Sequence, residues 1–193
     1  MKLIFLDIDG VLNCEDAYRG GECQYQEWIW ETGEKDHYQR FCSWSKKLFN
    51  QLIVDTGAKI VISSSWRSSG IEFMKKVWEL ENMQGEIIGI TPSMRSGSSS
   101  IRIPRGMEID YYLEELGFKH INWSAEEQQN YIDKSGVENY IIIDDDSDML
   151  YKQRNHFVHV YPSPRNKRGF SEEHYQKALE ILSTTAIQTN SIV

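Results

Sequence analysis

"KLIFLDIDGVLN", residues 2–13, runs through four consecutive apolar side chains, Leu3 to Leu6, then delivers two carboxylates, Asp7 and Asp9, followed by Gly10. An unbroken apolar run of this length, without polar alternation, marks a strand covered on both faces, as in a parallel sheet. Such a strand has no packing reason to end on two acids. Their position at its carboxyl end raises the question of what they face.

Four more stretches have strand character: 59–63 ("KIVIS"), 86–90 ("EIIGI"), 139–144 ("NYIIID") and 157–161 ("FVHVY"). Helix patterns lie between them. Residues 45–55 start at Ser45 as a cap and stop before Gly57. Residues 71–83 put Phe73, Met74, Val77, Trp78 and Leu80 on one face, and residues 106–116 carry Ile109, Tyr112, Leu113 and Leu116 ahead of Gly117. Ser124 and Glu127 have capping-box spacing, and a last helix is expected over 172–183. Strands alternating with helices predict an α/β fold with an open, doubly wound, mostly parallel sheet.

The expected organisation is one domain over residues 1–185, with an insertion at 13–44 after the first strand and a flexible tail at 186–193. The insertion carries seven aromatics (Tyr18, Tyr25, Trp28, Trp30, Tyr38, Phe41 and Trp44) with little periodicity. It reads as a small flap or cap. Its rings either form a core of their own or offer stacking surfaces to a base or sugar.

At 193 residues, 26% of them charged, the chain has the size and polarity of one globular domain. No apolar run reaches the length of a membrane span, and the N-terminus lacks the length and cleavage site of a signal peptide. The expected location is the cytoplasm, with no membrane partner. A net charge of −8 excludes a protein that coats nucleic acid non-specifically. Local basic stretches remain at Arg95, Arg102 and Arg105 and at Arg165, Lys167 and Arg168. Cys14, Cys23 and Cys42 could join His37 in a Cys3His zinc site, but their irregular spacing without a CxxC favours free thiols.

Ligands of a doubly wound sheet bind beyond the carboxyl ends of its strands. The first strand ends in Asp7 and Asp9. The second ends in Ser63, Ser64 and Ser65, followed by Trp66 and Arg67, and the fourth in Asp144, Asp145, Asp146 and Asp148. Carboxylates gathered at one edge repel each other unless a cation sits among them, and hard oxygen ligands suit Mg2+. "DDDSDM" also imitates a calcium-binding EF-hand loop, but Met149 stands where the turn needs glycine and Asn155 where it needs glutamate. The chemistry open to such an edge is phosphoryl transfer. One carboxylate attacks phosphorus to form an aspartyl-phosphate, and a second, two residues on, protonates the leaving oxygen and then activates water. Serine hydroxyls can hold phosphoryl oxygens, and an arginine opening a helix can neutralise developing charge.

"FLDIDGVLN" resembles the first motif of the haloacid dehalogenase-like (HAD) superfamily of phosphohydrolases. "KIVISSSWR" resembles its second motif, "IPRGMEIDYYL" its third and "YIIIDDDSDM" its fourth, in order over residues 1–161. "SSSWR", "RGMEI" and "DDDSDM" together look most like the HAD domain of bacterial multi-enzyme RNA-repair proteins. The resemblance implies Asp7 as nucleophile, Asp9 as general acid/base, Ser63 (with Ser64 next) as phosphate ligand and Arg105 as basic phosphate ligand. It implies Mg2+ held by Asp145 with Asp7 and the backbone carbonyl of Asp9, supported by Asp144 and Asp148. Which of those three touches the metal stays open. Asp9 favours phosphoryl transfer, since dehalogenases of the superfamily lack this acid. The implied activity is a Mg2+-dependent phosphatase acting on a phosphorylated substrate, a nucleotide or a nucleic-acid end with a 3′ or 5′ phosphate. The alternatives are a small-metabolite phosphatase, a phosphomutase, or a non-catalytic phosphate- or metal-binding module. Residues 117–136 are longer than the subgroup leads one to expect. A basic strip of Arg67, Arg102, Arg154 and Arg165 would favour a polynucleotide.

Overall fold

The computed structural model describes residues 1–21, 23–94, 103–118, 129–130, 133–161 and 169–184. Five parallel strands form the central sheet: β1 (Lys2–Leu6), β4 (Lys59–Ile62), β5 (Ile87–Ile90), β6 (Asn139–Asp144) and β7 (Phe157–His159), in the order β5-β4-β1-β6-β7. Between β1 and β4 lies an antiparallel hairpin, β2 (Tyr25–Ile29) and β3 (Lys35–Gln39). The helices include α1 (Glu15–Arg19), α2 (Ser43–Thr56), α3 (Ile71–Leu80), α4 (Arg105–Glu115) and α5 (Glu172–Ser183). This is the doubly wound α/β architecture expected from the alternation of elements.

Successive side chains of a strand point to opposite faces, so the unbroken run of β1 feeds two cores. Ile4 and Leu6 pack with Phe49, Leu52, Val77 and Leu182 from α2, α3 and α5. Leu3 and Phe5 pack on the other face with Ile109 and Leu113 of α4 and with Tyr140. α2 ends at Gly57, whose left-handed conformation (φ 62°) lets its N–H reach Ile53 O at 2.8 Å.

Several local expectations shift. Ser45 does not cap α2. It lies buried inside the helix and donates from Oγ to Phe170 O at 3.1 Å, while Cys42 takes the N-cap position without a side-chain bond. The helix expected over 71–83 stops at Leu80 because Asn82 turns to φ 53°. β7 is shorter than 157–161, although Val160 N still reaches Asp144 O at 2.8 Å. The capping box at Ser124, most of 117–136 and the tail lie outside the described residues.

The aromatics of the insertion do not build a separate core. Trp28, Tyr38 and Phe41 join the main core, with Trp28 5.3 Å from Phe73 and Phe41 6.0 Å from Trp78 between ring centroids. A buried carboxylate fastens the same hairpin. Glu81, at the end of α3, accepts from Tyr38 Oη (2.8 Å), Arg40 Nε (3.1 Å) and Lys46 Nζ (2.7 Å). Burial alone would raise its pKa, but these three donors outweigh it and hold the group below the usual carboxylate range.

His156 lies buried under β6, stacked on Tyr140 at 4.2 Å, with Nδ1 2.9 Å from Tyr140 O. Burial pushes its pKa from the ordinary 6.5 down to about 4. Above pH 6.5 neither folded nor unfolded chain protonates it. Between 6.5 and 4 the unfolded chain takes the proton first, so stability falls with pH, by about 3 kcal/mol over the whole window. In His156→Gln this component is expected to vanish. Denaturant titrations of parent and variant should therefore converge as pH falls from 7 towards 4, and a gap that does not change with pH would show that His156 is not responsible.

Candidate active site

The strand register brings the ends of β1, β4 and β6 to one level, with Leu6 beside both Ile62 and Ile143. The next residues continue the ladder, since Asp7 N donates to Ile143 O (2.9 Å) and Ser63 N to Leu6 O (2.8 Å). Asp7 is 4% exposed and Asp144 fully buried. Asp7, Asp144 and half-buried Asp145 each place a carboxylate oxygen within 4.8 Å of the others.

Three acids this close, largely out of water, cannot all stay ionised without compensation. Arg105 supplies part of it. Its Nη1 lies 2.9 Å from Asp7 Oδ2 and 2.7 Å from Asp144 Oδ2. Burial would lower the pKa of this guanidinium, but the two carboxylates outweigh it and raise it. Burial, then the Asp7 charge, pushes the Asp144 and Asp145 carboxyls above the usual carboxylate range, Asp145 to about 6. Backbone donors orient the acids, with Ile8 N on Asp7 Oδ1 and Asp146 N on Asp144 Oδ1, both at 2.8 Å.

The turn after β1 explains its glycine. Gly10 has φ +73°, and a Cβ there would run into the carboxylate of Asp145. The N–H groups of Val11, Leu12 and Asn13 all converge on Ile8 O, which throws Asp9 outward. Asp9 is exposed and not one of the acidic trio. Trp66 Nε1 donates to both its oxygens (3.1 and 3.0 Å), and Asn13 Nδ2 donates to Oδ1 at 3.0 Å.

The three serines separate by partner. Ser64 Oγ accepts from Trp66 N (3.4 Å) and caps the 3-10 turn Ser65–Ser69. Ser65 Oγ lies 3.5 Å from Asp9 Oδ2. Ser63 Oγ is buried at the site edge with no hydrogen-bond partner among the described residues.

Two other residues named in the sequence reading have partners of their own. Asp148 is exposed, outside the trio, and its Oδ2 accepts from Arg105 N at 2.9 Å, which satisfies a free donor at the start of α4. Arg67 belongs to no surface strip. Its side chain is 11% exposed and pairs with buried Glu108 at 2.5 Å, while Nη1 donates to Ser64 O at 2.9 Å. Glu108 also accepts from Met94 N at 2.8 Å. The pair clamps α4 onto the end of β4. Arg102 and Arg165 fall outside the described residues, and Arg154 stacks over Tyr151 at 4.3 Å. The zinc set does not assemble. Buried Cys42 lies 3.2 Å from Cys14 and 3.5 Å from Cys23 between sulfurs, but His37 packs against Tyr25 across the hairpin.

Trp66, Asn13 and Glu108 carry no role in the sequence reading. Glu108 left a signal, because its spacing to Tyr112 puts it on the inward face of α4. The bonds to Asp9 left none, since they join residues far apart in the chain.

No described helix is long and apolar enough to cross a membrane. Comparison with known proteins finds no match among curated proteins and none among solved structures. Against protein families, one continuous match runs from β1 into α5, residues 3–175, and takes in every acid, serine and arginine of this edge; the chain belongs to the family described as the HAD domain in Swiss Army Knife RNA repair proteins.

Proposed function

We propose that the chain is a Mg2+-dependent phosphomonoesterase that forms an aspartyl-phosphate on Asp7 and acts on a nucleotide or a phosphorylated nucleic-acid end. The observation that carries this reading is the pairing of Asp7 with Arg105 inside a trio of close carboxylates, two of them buried, beside the unpartnered hydroxyl of Ser63. The donor set fits the metal: three acids with hard oxygen ligands, too close to stay charged unaided. Asp7 and Asp145 would hold Mg2+ with the Asp9 carbonyl, and Asp144 would stand behind them, occupied with Arg105 and Asp146 N. When bound, the ion neutralises the carboxylates and draws charge from the phosphoryl oxygens.

The chain's own groups carry the rest. An Asp7 oxygen gives up its place against Arg105 and attacks phosphorus, and the bond from phosphorus to the leaving oxygen breaks. Arg105 and Ser63 bind the phosphoryl oxygens. Asp9 gives its proton to the leaving oxygen, then takes one from the water that cleaves the acyl-phosphate and regenerates Asp7. The link to nucleic acid rests on the family, whose described members are RNA repair proteins.

The deciding assay is Mg2+-dependent phosphate release from p-nitrophenyl phosphate, nucleotides, and oligonucleotides with 3′ or 5′ phosphates. Asp7→Asn is expected to bring every rate to background. Retention of activity by that variant would remove Asp7 as nucleophile, and no release from any substrate would remove the reading altogether. Asp9→Asn is expected to slow alkyl phosphates by roughly 10²–10⁴-fold. p-Nitrophenyl phosphate should suffer less, because its leaving group departs without a proton.

Gly10→Ala is expected to displace Asp145 and raise the half-saturating Mg2+ concentration by roughly 10–100-fold. A metal titration that matches the parent's would disconnect Asp145 from the ion.

A further inference from the structure

The hairpin and the 3-10 turn after β4 enclose a cleft of about 510 Å³. Its walls include Asp9, Tyr25, His37, Gln39, Trp66 and Ser68. We propose that this cleft is the leaving-group subsite and that it takes a single nucleoside, with the base lying on the ring of Tyr25, beside His37. The inference rests on Asp9 being the proton donor of the proposed reaction.

Four observations carry it. First, the Trp66 indole N–H holds the Asp9 carboxylate in the wall of this cleft, outside the group formed by Asp7, Asp144 and Asp145. A proton leaving Asp9 emerges here, so the oxygen that receives it must be here too. Trp66 is itself held, with Phe41 at 6.2 Å and Phe73 at 6.3 Å.

Second, Tyr25 presents its ring to solvent at 62% exposure, tilted against His37 with centroids 5.7 Å apart. The hairpin behind it is anchored by Trp28, Tyr38 and Glu81, so the platform is preformed. Aromatic faces of this kind suit a base and give nothing to a small aliphatic group.

Third, the charge balance selects against a polyanion. Among the described residues lining the cleft there is no lysine or arginine, and Asp9 is the only carboxylate. A chain of further phosphates would meet no counter-charge there. An uncharged nucleoside instead meets the hydroxyls of Ser68 and Ser69 and the amide of Gln39. Fourth, the volume lies within the roughly 300–1,000 Å³ typical of small-molecule sites.

Specificity constants for adenosine 3′- and 5′-monophosphate and for glycerol 2-phosphate test this, measured in the parent, Tyr25→Ala and Tyr25→Phe. The nucleotide-to-glycerol-phosphate ratio is expected to fall by roughly 10–100-fold in Tyr25→Ala and to be kept in Tyr25→Phe, which retains the ring. An oligonucleotide with the same terminal nucleotide is expected to match the mononucleotide in order of magnitude. A ratio near one in the parent, or one that Tyr25→Ala leaves alone, overturns the subsite while the phosphatase reading stands. A large gain for the oligonucleotide also overturns it, by moving recognition to the strand. Calorimetry with adenosine gives a readout independent of turnover. Millimolar binding by the parent that weakens in Tyr25→Ala supports the subsite even if no substrate is cleaved, and absence of binding by the parent overturns it.

Discussion

The structure depends on the crowding of three carboxylates at the carboxyl edge of a sheet buried on both faces. Asp7, Asp144 and Asp145 are brought together by strand register, and their mutual repulsion must be offset where water is largely excluded. One guanidinium, Arg105, bridges two of them. The scaffold around it serves to keep that guanidinium in place. α4 starts at Arg105, its first N–H is bound by Asp148, and its flank is clamped by the buried Arg67–Glu108 pair. A helix whose only duty was to cover the sheet would need none of these ionic contacts.

The acids also divide in two directions. Asp7 faces inward to the trio, and Asp9, two residues on, faces the hairpin. Residues two apart on an extended chain share a face, so the turn over Gly10 is what separates them. The Trp66 indole, a donor with no acceptor, then fixes Asp9 from the far side. Two like groups thus sit in unlike surroundings, which is how one short motif can supply both a nucleophile and a proton carrier.

Much of this was legible in the sequence because it rests on periodicity. Short apolar runs, three of them near-continuous, identified the five parallel strands, and the ends of the first and fourth identified the acids. Partners were harder to read than faces. Ser45 has the residue type of a helix cap, but its hydroxyl holds Phe170 O from inside α2. Arg67 has the residue type of a surface cation, but it is buried against Glu108. Asp148 belongs to the same acidic run as Asp144, yet it caps a helix. In each case the deciding contact lies 40 residues or more away in the chain, where local pattern carries no information. The insertion shows the same limit from the other side. Its irregular aromatics make sense only once Phe73 and Trp78 of α3 stand next to them.

The insertion departs just after Leu12, in the turn that follows β1, and rejoins at Cys42, the N-cap of α2, whose N–H donates to Leu12 O at 2.7 Å. Entry and exit are therefore pinned side by side, and the hairpin hangs from a closed neck. Since the entropy of closing a loop grows only slowly with its length, residues can be gained at the exposed turn 31–34, at the far end of the hairpin, with little cost to the sheet.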